Sequence, residues 1–241
     1  TELSARRDRL RTEAATRAEA LSAARVEAAQ RLSSAVSSEL ASLAMASTSL
    51  AVKVAQRQGA PSGAGELALE IDGVSYSADR HGIDEIEFLL VTRDAPEGRP
   101  LSRGASGGER SRVMLALEVV FAGLDPVPTF VFDEVDAGVG GKAALEVGLR
   151  LALLARSAQV IVVTHLAQVA AFADQHVVVR PGTVTATSIS YVTGPERIAE
   201  LARMLGGQED SATAAAHAEE LLDLAAARMS AGRSRSKART R

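Results

Sequence analysis

Thr129-Phe130-Val131-Phe132-Asp133-Glu134 is a short apolar run with two carboxylates at its C-terminal end. A strand covered on both faces reads this way, because polar residues appear only where it emerges. Ligands of open α/β sheets bind at the carboxyl ends of such strands. An Asp at that place can hold nucleotide-bound Mg²⁺, the Walker B role. The adjacent Glu134 is then placed to orient or deprotonate an attacking water. The plain alternative is a strand that ends in two solvated acids, and the flanking stretches decide between them.

Upstream, Ser106-Gly107-Gly108-Glu109-Arg110-Ser111-Arg112 leads into Val113-Met114-Leu115-Ala116-Leu117. A Ser followed by two glycines at a helix start exposes backbone N–H groups at the positive end of the helix dipole, a geometry that suits phosphate. Downstream, Val160-Ile161-Val162-Val163-Thr164-His165 is a second buried-strand pattern, ending in a histidine. These three stretches, in this order, resemble the signature motif, Walker B and switch histidine of the ABC-type ATPases.

After the two acids the chain continues Val135-Asp136-Ala137-Gly138-Val139-Gly140-Gly141-Lys142, where transport ATPases usually carry a Pro-Thr-Ser-Ala-Leu-Asp-like loop. With Leu166-Ala167-Gln168-Val169-Ala170, Phe172-Ala173-Asp174 and the run from Gly194-Pro195-Glu196 to Gly206-Gly207, this is similar to the RecN family. These are bacterial SMC-like ATPases of double-strand-break repair. The resemblance is close over about residues 85–225 and looser before that.

The resemblance implies an α/β fold: the C-terminal part of an ABC/SMC-type, P-loop NTPase-like head, with a mainly parallel sheet flanked by helices and preceded by a long coiled-coil-type helix. It implies ATP as substrate and Mg²⁺ as cofactor. Two heads sandwich the nucleotide in such proteins, so Ser106, Gly107, Gly108 and Glu109 are expected at the γ-phosphate of ATP carried by the opposing head. Asp133 is expected to reach Mg²⁺ directly or through water, and Glu134 to act on the attacking water. His165 is expected to hydrogen-bond the γ-phosphate. Asp136, Gly138 and Gly140 are expected in the D-loop that communicates across the dimer. The alternative for Ser106 is an ordinary helix cap, and for the glycines close packing or a plain turn. Arg110 and Arg112 are read as decorating the signature helix.

The 241 residues are 46% hydrophobic, enough for one substantial core or one core plus an extension. A formal net charge of −3 gives no global pull toward nucleic acid, so any DNA contact must be local. There is no cysteine, which excludes disulfides and thiolate metal sites and agrees with a reducing cytoplasm. Aromatics at 3% argue against base-stacking platforms. No signal peptide or membrane-length apolar run is present, so a cytoplasmic, nucleoid-associated protein without membrane contact is expected.

Residues 1–44 read as one helix, with Leu3, Leu10, Leu21, Ala28, Leu32, Val36, Leu40 and Leu43 at helical spacings and Glu2/Arg6, Glu13/Arg17 and Glu27/Arg31 as i,i+4 pairs. An Ala-rich, narrow stripe fits a coiled-coil seam, or an amphipathic helix lying on a core. Strands are expected at 49–55, 67–71 and 86–91, with a flexible loop at 59–65 and a polar loop at 96–104. The signature helix is expected over about 107–122, ending near Gly123-Leu124-Asp125-Pro126. A helix over 142–155, a short helix over 166–173, strands at 176–179 and 184–191 around an Arg180-Pro181-Gly182 turn, and helices over 198–205 and 212–229 follow. Residues 45–229 are thus the head part, and 230–241, with five Lys or Arg in the last nine positions, a disordered basic tail.

Gly138-Val139-Gly140-Gly141-Lys142 is no P-loop, because Ala143 stands where the Mg²⁺-binding hydroxyl belongs. Gly141-Lys142 is the only Gly-Lys pair, so no Walker A loop is found in the chain. With Thr rather than Met first, the expectation is a C-terminal half whose Walker A loop lies in an N-terminal half. Its partners would be that half, a second head as homodimer, and DNA, and the chain alone would be inactive. Two other readings are a transport ATPase subunit and a non-catalytic half serving as an interaction module. The long helix argues against the first and Glu134 against the second.

Overall fold

The computed structural model describes residues 1–61, 63, 65, 67–104, 106–122, 127–180, 188–206 and 211–239. The expected helix end at 123–126, the Pro181-Gly182 turn, residues 184–187 of the expected last strand, Gly207, and Ser62 and Ala64 of the loop fall outside them. The chain divides into two compact units: Thr1–Ser38 with Ser47–Gly104, and Glu39–Ala46 with Ala105–Arg241. Residues 2–38 of the long helix group with the strands that follow it, and its last turn groups with the second unit.

In the first unit, helix α1 (Glu2–Ser42) is exposed on every side through Glu13. From Ala14 onward one face turns inward; Val36, Leu40 and Leu43 of the expected stripe are buried, but its first half is not a leucine seam. Leu3, Leu10 and Leu21 are exposed, while Ala18, Ser22, Ala29 and Val36 are buried. Small side chains let the helix approach closely, and Ala18 packs with Leu69, Tyr76, Ala78 and Ile83. Asp84, whose side chain is fully buried, accepts from Ser22 Oγ at 2.5 Å and pairs with Arg25 at 2.7 Å.

The sheet of this unit has the order β1 (Ser49–Gln56), β4 (Asp84–Thr92), β5 (Ala95–Pro100), all antiparallel. Ser37 and Ser33 of α1 accept the Leu50 and Val52 N–H groups at 3.0 and 3.2 Å. The free edge of β1 is thereby satisfied by side chains instead of another strand. β5 and the short helix α2 (Leu101–Gly104) replace the expected polar loop. Pro96 and Pro100 lack the N–H needed in a central strand but fit this edge position. Strands β2 (Leu67–Ile71) and β3 (Val74–Ala78) form a hairpin around Asp72 and Gly73, at φ of +48° and +78°. Two positive φ values are what the primed two-residue hairpin turn requires.

In the second unit, α3 (Gly107–Phe121) is followed by β6 (Thr129–Phe132), α4 (Gly141–Leu154) and β7 (Gln159–Val162). β6 and β7 pair in parallel, with Val131 opposite Ile161. This pair is the single parallel pairing among the described strands, which corrects the expected mainly parallel sheet. Parallel neighbours need a crossover, which α4 supplies here, whereas all the other described strand pairs are antiparallel. One face of the pair is bare: Val131, Ile161 and Val163 are 69%, 47% and 60% exposed.

Helix α5 (Ala167–Ala170), strands β8 (His176–Arg180) and β9 (Ser188–Val192), α6 (Gly194–Gly206) and α7 (Ala212–Arg239) complete the unit. Ala167, Phe172, Leu201, Ala218, Leu221 and Ala225 share one core. α7 stays helical through Arg239, past residue 230 where an irregular tail is expected from the sequence. Arg150 pairs with Glu39 at 2.7 Å and with Glu146 at 3.0 Å, and Glu146 also holds Arg228 at 2.8 Å, so one ion network joins the last turn of α1 to α4 and the middle of α7. Among the described residues no helix is long and apolar enough to cross a membrane.

Candidate functional site

The C-terminal ends of β6 and β7 lie side by side because the two strands run in parallel and in register. Asp133 and Glu134 therefore leave the sheet next to Val163, Thr164 and His165. The start of α3 packs against the same edge. Ser111 Oγ, in its second turn, donates to the Asp133 carbonyl at 2.9 Å.

Ser106 is exposed and caps α3, its Oγ accepting the Glu109 N–H at 3.3 Å. Glu109 reaches back to accept the Ser106 N–H at 2.9 Å, completing a capping box. That N–H, with the Ser106 hydroxyl and the nearby Arg112 charge, holds the Glu109 carboxyl below its ordinary range. Glu109 thus serves the helix start. Gly107 and Gly108 lie in the first turn, where helix geometry supplies no acceptor for backbone N–H groups. Gly107 is half-buried and Gly108 buried.

Both glycines stand against the turn that follows β6. A Cβ on Gly107 would lie 2.5 Å from Glu134 Oε2. One on Gly108 would lie 2.9 Å from Ala137 Cβ and 3.1 Å from the carbonyl oxygens of Glu134 and Ala137. The phosphate-binding and close-packing readings of these glycines are thus compatible.

Glu134 is exposed and adopts φ +56°, a left-handed conformation costing a side-chain-bearing residue about 1–2 kcal/mol. Such strain persists where the surroundings over-determine it, and it concentrates at functional sites. Its carbonyl accepts the Ala137 N–H at 3.0 Å, closing the turn. Asp133 is exposed, and its Oδ1 accepts the Glu134 N–H at 2.9 Å. Among the described residues no three His, Cys, Asp or Glu side chains converge on a metal position. A lone hard carboxylate fits Mg²⁺ that arrives with phosphate oxygens and waters, the usual mode for that ion, and not a cage made by protein alone.

Asp136 lies inside the unit, its side chain 3% exposed. Its Oδ2 accepts from the Thr164 hydroxyl and from the His165 N–H at 3.2 Å, and stands 3.3 Å from His165 Nδ1. The imidazole itself is exposed. Asp136 therefore connects the turn after β6 to the histidine after β7 within one chain. Gly138, at φ +71°, and Gly140, the N-cap of α4, meet nothing where a Cβ would be. Lys142 is exposed in the first turn of α4.

Two contributors escape the sequence reading. Thr164 anchors the Asp136 carboxylate. Arg112, expected on the helix surface, is buried and donates from Nη1 to the carbonyls of Ala137 at 2.7 Å and Val135 at 3.4 Å. Burial lowers its pKa, yet an arginine remains a cation in proteins. Its burial depends on the 134–137 turn lying above it, which no local pattern reveals. Arg110 is exposed.

No family model matches the chain. Over 92% of its length it is 56% identical to the DNA repair protein RecN of Streptomyces coelicolor. It is 48% identical over 85% of its length to the protein of that name from Mycobacterium tuberculosis, and 38% identical over 86% to that of Haemophilus influenzae. The chain spans 38%, 35% and 35% of the length of these three relatives. Among solved structures, the Smc head domain with a coiled coil and joint from Pyrococcus yayanosii aligns with a TM-score of 0.48 and 18% identity, over 70% of this chain and 28% of that one.

Proposed function

We propose, from the premise that this chain belongs to the RecN family of DNA repair proteins, that it forms the C-terminal part of an SMC-like ATPase head acting in recombinational repair of double-strand breaks. One observation carries the reading: Asp133, Glu134 and His165 emerge at one edge of a parallel strand pair, with the capped start of α3 packed against Glu134. The bare face of Val131, Ile161 and Val163 suits a further layer of protein, and the N-terminal half bearing the Walker A loop is our choice for it. The second head, related by two-fold symmetry, and DNA complete the set of partners, in the cytoplasm on the nucleoid.

In this reading ATP sits on the Walker A loop of the same head, beyond the ends of β6 and β7. Mg²⁺, held by Asp133 directly or through water, would neutralise charge on the β- and γ-phosphate oxygens. Glu134 accepts a proton from the attacking water as the water oxygen bonds to the γ-phosphorus and the bond from that phosphorus to the bridging oxygen breaks, with ADP as the leaving group. Asp136 holds His165 so that the exposed ring faces the γ-phosphate. Ser106 and the first-turn N–H groups of α3 meet the γ-phosphate on the opposing head, where the helix dipole favours the anion. Head engagement is thus coupled to bound ATP, and hydrolysis releases it.

The test uses two variants of the full-length protein. Glu134→Gln keeps the size of the side chain and removes its basicity, so ATP should still bind while hydrolysis falls about 10²–10⁴-fold and ATP-engaged dimers accumulate. Ser106→Arg should bind ATP on each head and fail to dimerise, because a bulky cation blocks the approach of the other head. Hydrolysis at the unmodified rate by the first variant, or ATP-dependent dimers of the second, would overturn the reading.

A further inference from the structure

On α3, Arg112 lies one helical turn after Gly108, on the same face, and the residue is 7% exposed. Nη1 reaches the carbonyls of Ala137 and Val135, at 2.7 and 3.4 Å. Nε is buried with no hydrogen-bond partner among the described residues. Taking a guanidinium out of water is costly, and an apolar residue of similar volume commonly packs as well or better. Mere support of a turn therefore does not account for a cation here.

What Arg112 holds is the segment that carries the chemistry. Its neighbour Ser111 binds the Asp133 carbonyl, and Ala137 binds the Glu134 carbonyl at 3.0 Å. With the two carbonyls taken by Arg112, the main chain from Asp133 to Ala137 is held at four points, three of them by side chains of α3. Within that segment Glu134 sits at φ +56°, and Asp136 fixes Thr164 and His165. We propose that Arg112 is a positioning residue, which locks the turn after β6 to α3 so that Glu134 and His165 are aimed at the γ-phosphate in step with the docking of the α3 start. This rests on the nucleotide-site reading above and extends it to a residue that touches neither nucleotide nor water.

The consequence is a split between binding and turnover. ATP is held by groups that Arg112 does not contact, so its loss should spare affinity. Misplacing the general base by about 1 Å can cost on the order of 10²-fold in rate. In the full-length protein, Arg112→Met keeps the length of the side chain and removes all donors. Its kcat should fall about 10–100-fold while the nucleotide Kd stays within about threefold of the unmodified value. Arg112→Lys restores the charge and one reach to a carbonyl, and should recover several-fold of the lost rate without changing Kd.

Circular dichroism gives the folded fraction to which each rate is normalised. If Arg112→Met does not fold, Arg112→Lys alone carries the test: a reduced kcat at unchanged Kd is expected of it. Turnover per folded molecule equal to the unmodified protein, or kcat and affinity falling together, would reduce Arg112 to a packing residue. Glu134→Gln run alongside separates the two claims. If that variant is inactive while Arg112→Met turns over normally, the positioning role alone is wrong. If Glu134→Gln hydrolyses ATP at full rate, the site reading falls and the role of Arg112 falls with it.

Discussion

Gly107 and Gly108 are neighbours in one helix turn, yet a methyl group on each would meet different things. At Gly107 it would meet the end of the Glu134 side chain, which can swing away. At Gly108 it would meet Ala137 and two backbone carbonyls, which cannot. We expect Gly107→Ala to leave thermal stability nearly unchanged and to lower ATP hydrolysis by displacing Glu134. Gly108→Ala should destabilise the fold by about 1–3 kcal/mol, the usual cost of overpacking. Melting temperatures and turnover of the two full-length variants check this. Equal losses of stability in both would contradict the contact geometry. That a serine and two glycines open a helix was legible in the sequence, because capping chemistry is local. The sequence did not show Arg112 beneath them. Arg110, Ser111 and Arg112 read as a polar run, and only the turn from Glu134 to Ala137, more than twenty residues away, buries one of the three.

At the scale of elements, the start of α3 depends on one ionisable cap. Hydrogen bonding by the Ser106 N–H is the largest cause of the lowered Glu109 pKa, ahead of the Ser106 hydroxyl and the Arg112 charge. A carboxyl whose folded pKa lies below its unfolded value of about 4.5 contributes stability that is fully present above that value. The contribution is lost as pH falls through the folded pKa. Amide exchange at Glu109 and Arg110, corrected for intrinsic rates, should therefore show protection falling as pH drops below about 4.5. In Glu109→Gln protection should be lower at neutral pH and respond less to acid. Protection in the unmodified protein that ignores this range would contradict the capping role. Elements with a clear period were legible: β1, β4, β6, β7 and α4 lie within two residues of their expected places. β3 was missed although Asp72-Gly73 is a strong hairpin signal, and β5 because its prolines suit an edge strand as well as a loop. The first half of the α1 seam was misplaced because Ala18 faces the hairpin and Ser22 bonds Asp84, and a leucine count gives small residues too little weight.

Over the whole molecule, the sequence motifs placed the two apolar strands side by side more accurately than they described the rest of the sheet. Asp133, Glu134, Thr164 and His165 come together because β6 and β7 are parallel, as their apolar runs implied. The wider parallel sheet is not formed by this chain, whose other described strands pair antiparallel. The central claim is that Glu134 serves nucleotide on its own head while Ser106 serves nucleotide on the other. Mixing two full-length proteins that each turn over poorly, Glu134→Gln and Ser106→Ala, the second losing its hydroxyl without adding bulk that blocks engagement, tests it most directly. In a two-fold dimer containing one copy of each, one site combines the intact Glu134 of the second protein with the intact Ser106 of the first. Because both variants can still dimerise, about half the dimers in an equimolar mixture are mixed and each has one complete site, so ATP hydrolysis should rise above the mean of the two separate proteins by about a quarter of the unmodified rate. A mixture no more active than its two components would contradict the account.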